Sequence, residues 1–220
     1  LYVIKEVNKI RNNSLNNKRL FSQLCVANDE DFNSLLFHTE VRWLSKGNCL
    51  TRFYNLFDSV IEFIENKDME LRDNLIASKN DIAYLTDLYT LFNDINLQLL
   101  GDDLNLIKTK TVVSAFVAKL LLHKKHIGKH EFHHFPNLSA ASFINDDLLV
   151  YCQHLENLYS DFKERFQDIL TLDWQQTMQL KLNSKTAIKS FGYRSKSHCC
   201  TLDGGQLFKD FLLAFPSSYL

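Results

Sequence analysis

The chain has 220 residues, of which 45% are hydrophobic and 23% charged, and its formal net charge at pH 7 is -1. This length is enough for one sizeable hydrophobic core. The near-neutral charge excludes a coat of positive charge over the whole surface, so any contact with DNA or RNA would have to come from a local basic patch. Six glycines and two prolines beside seventeen phenylalanines indicate long helices with few interruptions.

The first residues predict two short helices and a loop. Residues 1–25 hold apolar side chains at helical spacing, interrupted at residues 12–14. Ser14 is a suitable N-cap for the second helix, because its hydroxyl can accept a hydrogen bond from a backbone N–H of the first turn. Residues 28–34 are acidic and polar and predict a loop. Because the chain begins at Leu1 inside a periodic segment, we expect it to be a fragment of a longer protein.

The clearest predicted helix covers residues 50–64, where seven apolar side chains recur at spacings of three and four. Ser45 or Asn48 would cap its beginning. A second helix of equal clarity covers residues 82–99 and ends before Gly101, a residue typical of helix C-termini. Between the two, residues 70–79 also have a helical pattern.

A third apolar block predicts a helix over residues 107–127, which Gly128 ends. Asn145 is then placed to cap a long helix that reaches residue 169. Alternating strand patterns are almost absent, so we predict an all-α helical bundle for residues 1–171. Residues 172–220 have weak periodicity and are predicted to form a divergent, loosely ordered C-terminal tail.

The candidate binding site lies at residues 37–47, where an aromatic ring and several cations precede the predicted helix. Helix N-termini with nearby cations suit phosphate groups. Arg42, Lys46 and Arg52 would hold phosphates while an unstacked base lies on the ring of Trp43, a contact that contributes about 1–3 kcal/mol. The alternative is that Trp43, flanked by two aliphatic residues, is a core side chain that anchors the loop. The spacing leaves both interpretations open.

Five histidines between residues 123 and 134 are a second candidate site. His123, His126 and His130 would share a helical face if the helix continued through Gly128, and imidazoles at such spacing bind zinc. No cysteine lies close by in sequence, and three lysines bring like charge. We therefore expect a solvated, polar helix end and no metal or cofactor, although protonated histidines beside lysines could contact a phosphate backbone.

No catalytic apparatus is visible. The acidic pairs at residues 102–103 and 146–147 are adjacent in sequence, so their side chains point in different directions, as is typical of loops and helix starts. The chain has no nucleophile elbow, phosphate-binding loop or zinc-protease motif. Its five cysteines have no CxxC spacing and indicate reduced thiols in a nuclear or cytosolic protein. No apolar run approaches the ~18 residues of a membrane span, so no membrane contact is expected.

A family resemblance is carried by the segment 36–47 together with 50–53, and is supported by the segments 83–88, 91–99 and 135–138. Through these segments, most of the chain up to residue 170 resembles the middle of hAT-type transposases. It is most similar to vertebrate domesticated, transposase-derived proteins, such as the zinc finger BED domain-containing proteins, SCAN domain-containing protein 3 and the FAM200-type proteins.

The resemblance implies a helical insertion domain that interrupts an RNase H-like nuclease core. The family's Arg-Trp-x-Ser word corresponds here to residues 42–45, so Trp43 would stack on a flipped base at the transposon-end hairpin. The implied DNA-binding residues are Arg42, Trp43, Ser45, Lys46 and Arg52. The resemblance also implies a BED-type zinc finger upstream and a dimerisation region downstream.

In such a transposase, two of the three catalytic acids would precede Leu1, and the third matches no residue of 172–220. We therefore predict a non-catalytic fragment of a nuclear, transposase-derived protein that contacts DNA through its Arg-Trp motif. The alternative is a helical scaffold for protein interaction that does not bind DNA, either nuclear or cytoplasmic. Self-association would use regions outside the fragment.

Overall fold

The computed structural model describes residues 15–36, 43–65, 67–100 and 106–171. These residues form nine helices and no strand, which confirms the predicted all-α class. None of these helices is long and apolar enough to cross a membrane. The predicted tail, residues 172–220, lies outside the described part. The helices are α1 (Leu15–Ala27), α2 (Trp43–Asn55), α3 (Phe57–Ile64), α4 (Met69–Ala77), α5 (Lys79–Leu99), α6 (Leu106–Gly128), α7 (Pro136–Ala140), α8 (Asn145–Arg165) and α9 (Gln167–Thr171).

Two expected helix boundaries are wrong. Helix α2 begins at Trp43, so Ser45 and Asn48 lie inside the helix and cannot be its N-cap. The predicted helix over 50–64 is also divided at Leu56, whose backbone angles are φ -100° and ψ 16°. The backbone N–H of Leu56 still donates to the carbonyl of Arg52, and its carbonyl accepts from the N–H of Val60. The apolar periodicity therefore continues across the break. Periodicity alone therefore predicted one helix where there are two.

The helix predicted to reach residue 169 is divided in the same way, because α8 ends at Arg165 and α9 begins at Gln167. Helix α1 begins directly after Ser14, the predicted cap, which itself lies outside the described residues. Helix α8 begins at Asn145, so this residue is the first of the helix and not, as predicted, the cap before it. Asp68 caps α4, since its side chain accepts a hydrogen bond from the backbone N–H of Leu71 at 3.1 Å.

The chain divides into two compact units. Of the described residues, unit 1 holds those between 15 and 94 and between 130 and 149, and unit 2 holds those between 95 and 129 and between 150 and 171. Helices α5 and α8 contribute residues to both. The core of unit 1 is built by the apolar faces of α2 and α3 with side chains from α1, α4, α5 and the α1–α2 loop. Its buried members are Phe21, Cys25, Leu35, Cys49, Leu50, Phe53, Leu56, Phe57, Val60, Phe63, Ile64, Leu75, Ile82 and Tyr89.

A polar contact ties the end of α1 to α3 within unit 1. Asn28 donates from its side-chain amide to Ser59 at 3.0 Å and to Glu62 at 2.8 Å. Ser59 is buried and donates in turn to Glu30. The polar loop predicted from composition therefore closes over one side of the core through its own side chains.

Unit 2 is built around α6, α8 and α9. Phe116 of α6 meets Phe162 of α8 with ring centroids 5.2 Å apart, and Phe162 stacks on Phe166 at 5.8 Å. One turn before the end of α6, Lys124 forms an ion pair of 2.6 Å with Glu156 of α8. These contacts fix which side of α6 packs within the unit.

Candidate nucleic-acid interface

Four of the five predicted DNA-binding residues lie in α2. Trp43 is its first residue and Ser45 its third, but the structure describes only their backbone. Lys46 is partly buried, as is Arg52 two turns further on. Arg42 lies outside the described residues. The sequence predicts Trp43 just before the helix, whereas the structure makes it the first helical residue, and the DNA-binding role of all five residues stays a prediction.

The N-terminus of α2 has the electrostatic character of an anion site. Its first turn contains no acidic residue. Backbone N–H groups at a helix start lack intrahelical acceptors, and the aligned peptide dipoles place partial positive charge there. Positions 43 and 46 are three residues apart and so lie on neighbouring parts of the helix surface. A phosphate near Trp43 would thus meet the helix dipole and the charge of Lys46 together.

Arg52 is engaged within the protein. Its guanidinium carbon lies 3.4 Å from the ring centroid of Phe32, and its Nη1 donates to the carbonyl oxygen of Ser34 at 3.4 Å. Both partners belong to the loop between α1 and α2. Lys46 and Arg52 are six positions apart in one helix, so their side chains leave it in directions about 120° apart. The structure thus does not bring these two cations to one face.

We expect Arg52→Ala to lower the free energy of unfolding by about 1–2 kcal/mol, because a partly desolvated cation–π contact and a charged hydrogen bond are both lost. The free energy of unfolding of Arg52→Lys should lie between those of the wild type and Arg52→Ala, since a lysine keeps the charge without the planar group. Urea unfolding measures the effect. Lys18→Ala, a change at an exposed lysine of α1, is the control. An unchanged midpoint for Arg52→Ala would show that the loop does not depend on this side chain.

The glycine of the specific segment has a packing role. Gly47 is buried inside α2, and a Cβ atom built there would lie 2.5 Å from the side-chain nitrogen of Asn93. At this position α2 therefore lies against the side chain of Asn93 on α5, and only a residue without a side chain leaves room for that amide. Two residues on, the thiol of Cys49 donates to the carbonyl of Leu36 at 3.3 Å.

A second close contact joins α5 to the start of α7. Asp87 is 4% exposed, and its carboxylate accepts hydrogen bonds from the backbone N–H groups of Asn137 (3.3 Å) and Leu138 (3.0 Å). The side-chain amide of Asn137 donates to the same carboxylate at 2.7 Å. Beside it, Tyr84 stacks on Phe135 with centroids 5.7 Å apart. Asp87 thus caps α7 from another helix, since the residue preceding α7 provides no side-chain cap.

Sequence reasoning did not identify Asp87. Its helical position lies away from the apolar row of α5, so periodicity gave no signal for it; the usable signal was a Phe-Pro start that supplies no capping side chain of its own. Residues 36–47 and 91–99 meet at Gly47 and Asn93, and residues 83–88 and 135–138 meet at Asp87. The segments that carry the family resemblance are therefore joined through α5 in unit 1.

The three-histidine face required a helix that continues through Gly128, and that condition is not met; the structure instead brings ring nitrogens of His123, His126 and His134 within 4.8 Å of one another. Helix α6 ends at Gly128, and His130 has a left-handed backbone with φ 61°, so the helix does not carry three histidines on one face. His123 is 3% exposed and is not part of a solvated end. Of the acidic pairs, residues 102–103 lie outside the described part. Asp147 lies in the first turn of α8 and accepts from the backbone N–H of Ile144 at 3.2 Å, as expected for a helix start.

Comparisons with known proteins agree with the helical fold. Residues 1–128 match the family described as FAM200/GTF2IRD2 helical domain. The General transcription factor II-I repeat domain-containing protein 2 of Bos taurus is 29% identical over 179 residues, and that of Mus musculus is 28% identical over 181 residues. Each match covers 80% of this chain but only 18% of the bovine and 19% of the mouse protein. The chain thus spans less than a fifth of these relatives. No solved structure matches it.

Proposed function

Since the chain belongs to the FAM200/GTF2IRD2-like helical-domain family, we propose that it is the helical insertion region of a domesticated, hAT transposase-derived nuclear protein. In this proposal it contacts DNA at the entrance of α2 and performs no catalysis. A BED-type zinc finger would precede it in the full-length protein. The relatives' printed description as general transcription factor II-I repeat domain-containing proteins supports a nuclear location over a cytoplasmic one.

The observation that carries the proposal is the position of the first residue of α2. Because the helix begins at Trp43, this residue lies at the positive end of the helix dipole, in a first turn without acids. Nucleic-acid binding without sequence preference combines such a local positive field with an aromatic ring on which a base stacks. The roles follow from this placement: Arg42 and Lys46 contact phosphate, and Trp43 stacks on an unpaired base.

Ser45 and Arg52 take different parts in this proposal. Ser45 lies in the first turn, where its hydroxyl can donate to a phosphate oxygen. Arg52 is bound to Phe32 and Ser34, so it acts on DNA indirectly, by holding the loop that leads into α2. Arg52 is therefore a positioning residue here. Loss of its charge should change stability more than the salt dependence of DNA binding.

The test is binding of the chain to hairpin DNA across a salt series. We expect an affinity that falls as salt rises, and Trp43→Ala should weaken it by about 1–3 kcal/mol, or roughly five- to 150-fold. The chain's other tryptophan supplies the matched control, Trp174→Ala. Circular dichroism and the unfolding midpoint confirm that each variant is folded. Equal binding by folded Trp43→Ala would remove the stacking role.

The alternative is a protein-interaction scaffold. It is favoured by the charge of unit 1, where Asp and Glu outnumber Lys and Arg by about two to one among the described residues. Such a balance repels a nucleic-acid backbone everywhere except at a local positive site. If the wild-type chain does not bind hairpin DNA even at low salt, this second function replaces the first.

A further inference from the structure

Among the described helices, α6 has the largest excess of basic over acidic residues. Residues 106–129 contain six lysines and no aspartate or glutamate. One of the six, Lys124, is neutralised by its ion pair with Glu156 inside unit 2. The exposed lysines near the C-terminal half are Lys119, Lys125 and Lys129. The C-terminal half of α6 therefore carries a local concentration of positive charge.

One row of exposed residues on α6 recurs at intervals of three and four, the repeat of a single helical face, and continues to Lys129 just beyond the helix end. Lys119, Leu121 and Gly128 are also exposed and lie beside this row. We name this row the α6 stripe; its members are Thr111, Ala115, Ala118, Leu122, Lys125 and Lys129, all exposed. The rise of a helix gives the stripe a length of about 27 Å.

The chemistry of the α6 stripe changes along its length. Its middle is small and apolar, formed by Ala115, Ala118 and Leu122, and Leu122 is 44% exposed. The adjoining Leu121 is 37% exposed. Its C-terminal end is cationic, through Lys125 and Lys129. Alanines at such spacing let a second helix approach closely, while a leucine offers a knob for the partner's surface.

We propose that the α6 stripe binds an amphipathic helix of a partner protein, with apolar side chains in its middle and acidic side chains at one end. The alanines and Leu122 would receive the apolar side chains, and Lys119, Lys125 and Lys129 would pair with the acids. This is the helix-in-groove mode of recognition, in which apolar anchors give affinity and flanking charges set orientation.

An acidic helix fits these residues better than a nucleic-acid backbone does. A phosphate backbone makes its contacts through cations and hydrogen-bond donors. Two exposed leucines and two alanines in the middle of the surface offer it neither, and their burial against phosphate would gain little. An acidic amphipathic helix uses both the apolar middle and the charged end. The proposal concerns unit 2 and does not depend on DNA binding at α2.

The probe is a synthetic peptide of about four helical turns, with leucines at positions i, i+3 and i+7 followed by a run of glutamates. Its control is a peptide of the same composition in scrambled order, which keeps the charge and loses the apolar face. Fluorescence anisotropy with the full 220-residue chain measures binding of both peptides and of a DNA duplex. We expect the ordered peptide to bind at least about tenfold more tightly than the scrambled one.

Three variants make the test specific. Leu122→Ser and Lys125→Glu should each weaken peptide binding by about tenfold or more, since one removes the apolar anchor and the other repels the acids. Lys18→Glu, the same change of charge on α1, should leave binding unchanged. All three positions are exposed, so folding should be preserved. Equal binding of the two peptides, or binding that is unaffected by Leu122→Ser, overturns the proposal. Binding of duplex DNA that is lost in Lys125→Glu but kept in Leu122→Ser would assign the stripe to nucleic acid instead.

Discussion

Asp87→Ala is expected to lower the free energy of unfolding by about 2–4 kcal/mol, among the largest effects of any single substitution in the described residues. The carboxylate accepts three hydrogen bonds from the start of α7, and Leu138, whose backbone N–H is one of the donors, is fully buried. Alanine would leave these donors without an acceptor and without access to water. Urea or thermal unfolding followed by circular dichroism measures the loss.

Asp87→Asn separates the roles of shape and charge. Asparagine keeps the size but replaces one carboxylate oxygen with an N–H donor, which would face another donor at α7. We therefore expect a loss smaller than that of alanine but still above about 1 kcal/mol. Asp94→Ala, at an exposed position of the same helix, should change stability by less than about 0.5 kcal/mol. Equal effects at the two aspartates would show that Asp87 does not hold α7.

A comparison of the wild type with Asp87→Asn should also show a pH dependence of stability. Burial raises the pKa of Asp87 above its ordinary value of 3.8, against the opposing effect of the hydrogen bonds from Leu138 and Asn137. The folded state then binds the proton more tightly than the unfolded state, so the cost of the buried charge is present at neutral pH. That cost is relieved as the pH falls through the raised pKa towards 3.8. As the pH falls through this window, the free energy of unfolding of the wild type should therefore rise relative to that of Asp87→Asn.

Gly47→Ala is the second large effect, an expected loss of about 1–3 kcal/mol. In an ordinary helix this change stabilises by up to about 1 kcal/mol, because alanine has the higher helix propensity. Here three atoms of the Asn93 amide lie within 3.2 Å of the added carbon, so the whole group has to move and not only its tip. The overlap should outweigh the propensity gain and reverse the sign.

Two matched variants test that explanation. In an Asn93→Ala background the space becomes available, so Gly47→Ala should turn stabilising, and the double-mutant cycle should show strong coupling. Gly128→Ala is the control, because its added carbon meets only the sulfur of Cys152 at an ordinary 3.8 Å. It should be neutral or slightly stabilising. If Gly47→Ala and Gly128→Ala change the free energy of unfolding equally, the contact between α2 and Asn93 of α5 is not the reason that position 47 requires glycine.

The helices themselves could be predicted because their signal is local. Apolar residues at spacings of three and four identified α5 and α6 and the start of α8, and most residues on those faces are buried, but Leu121 of α6 and Leu149 of α8 are 37% and 70% exposed. The breaks at Leu56 and Phe166 could not be predicted. Both residues are apolar and buried, and they keep the helical repeat while the backbone hydrogen bonds continue around them. No change of residue type marks such a bend.

For the candidate site, sequence patterns predicted an aromatic ring just before a helix, and α2 begins at that residue, Trp43. The base-stacking role of Trp43 and the phosphate contacts of Arg42 and Lys46 remain predictions. What periodicity could not supply was the partner of Arg52. Its contacts with Phe32 and Ser34 depend on how the preceding loop folds back over α2.

The sequence by itself determined the all-α class and the places of most helices, because those depend on the repeat of apolar side chains along the chain. The structural roles of Gly47, Arg52 and Asp87 became clear only from the tertiary structure. Their partners are 46, 18 and 50–51 residues away in sequence, and a contact at such separation depends on how whole helices pack. The same packing leaves the α6 stripe exposed, a property that its composition alone does not reveal.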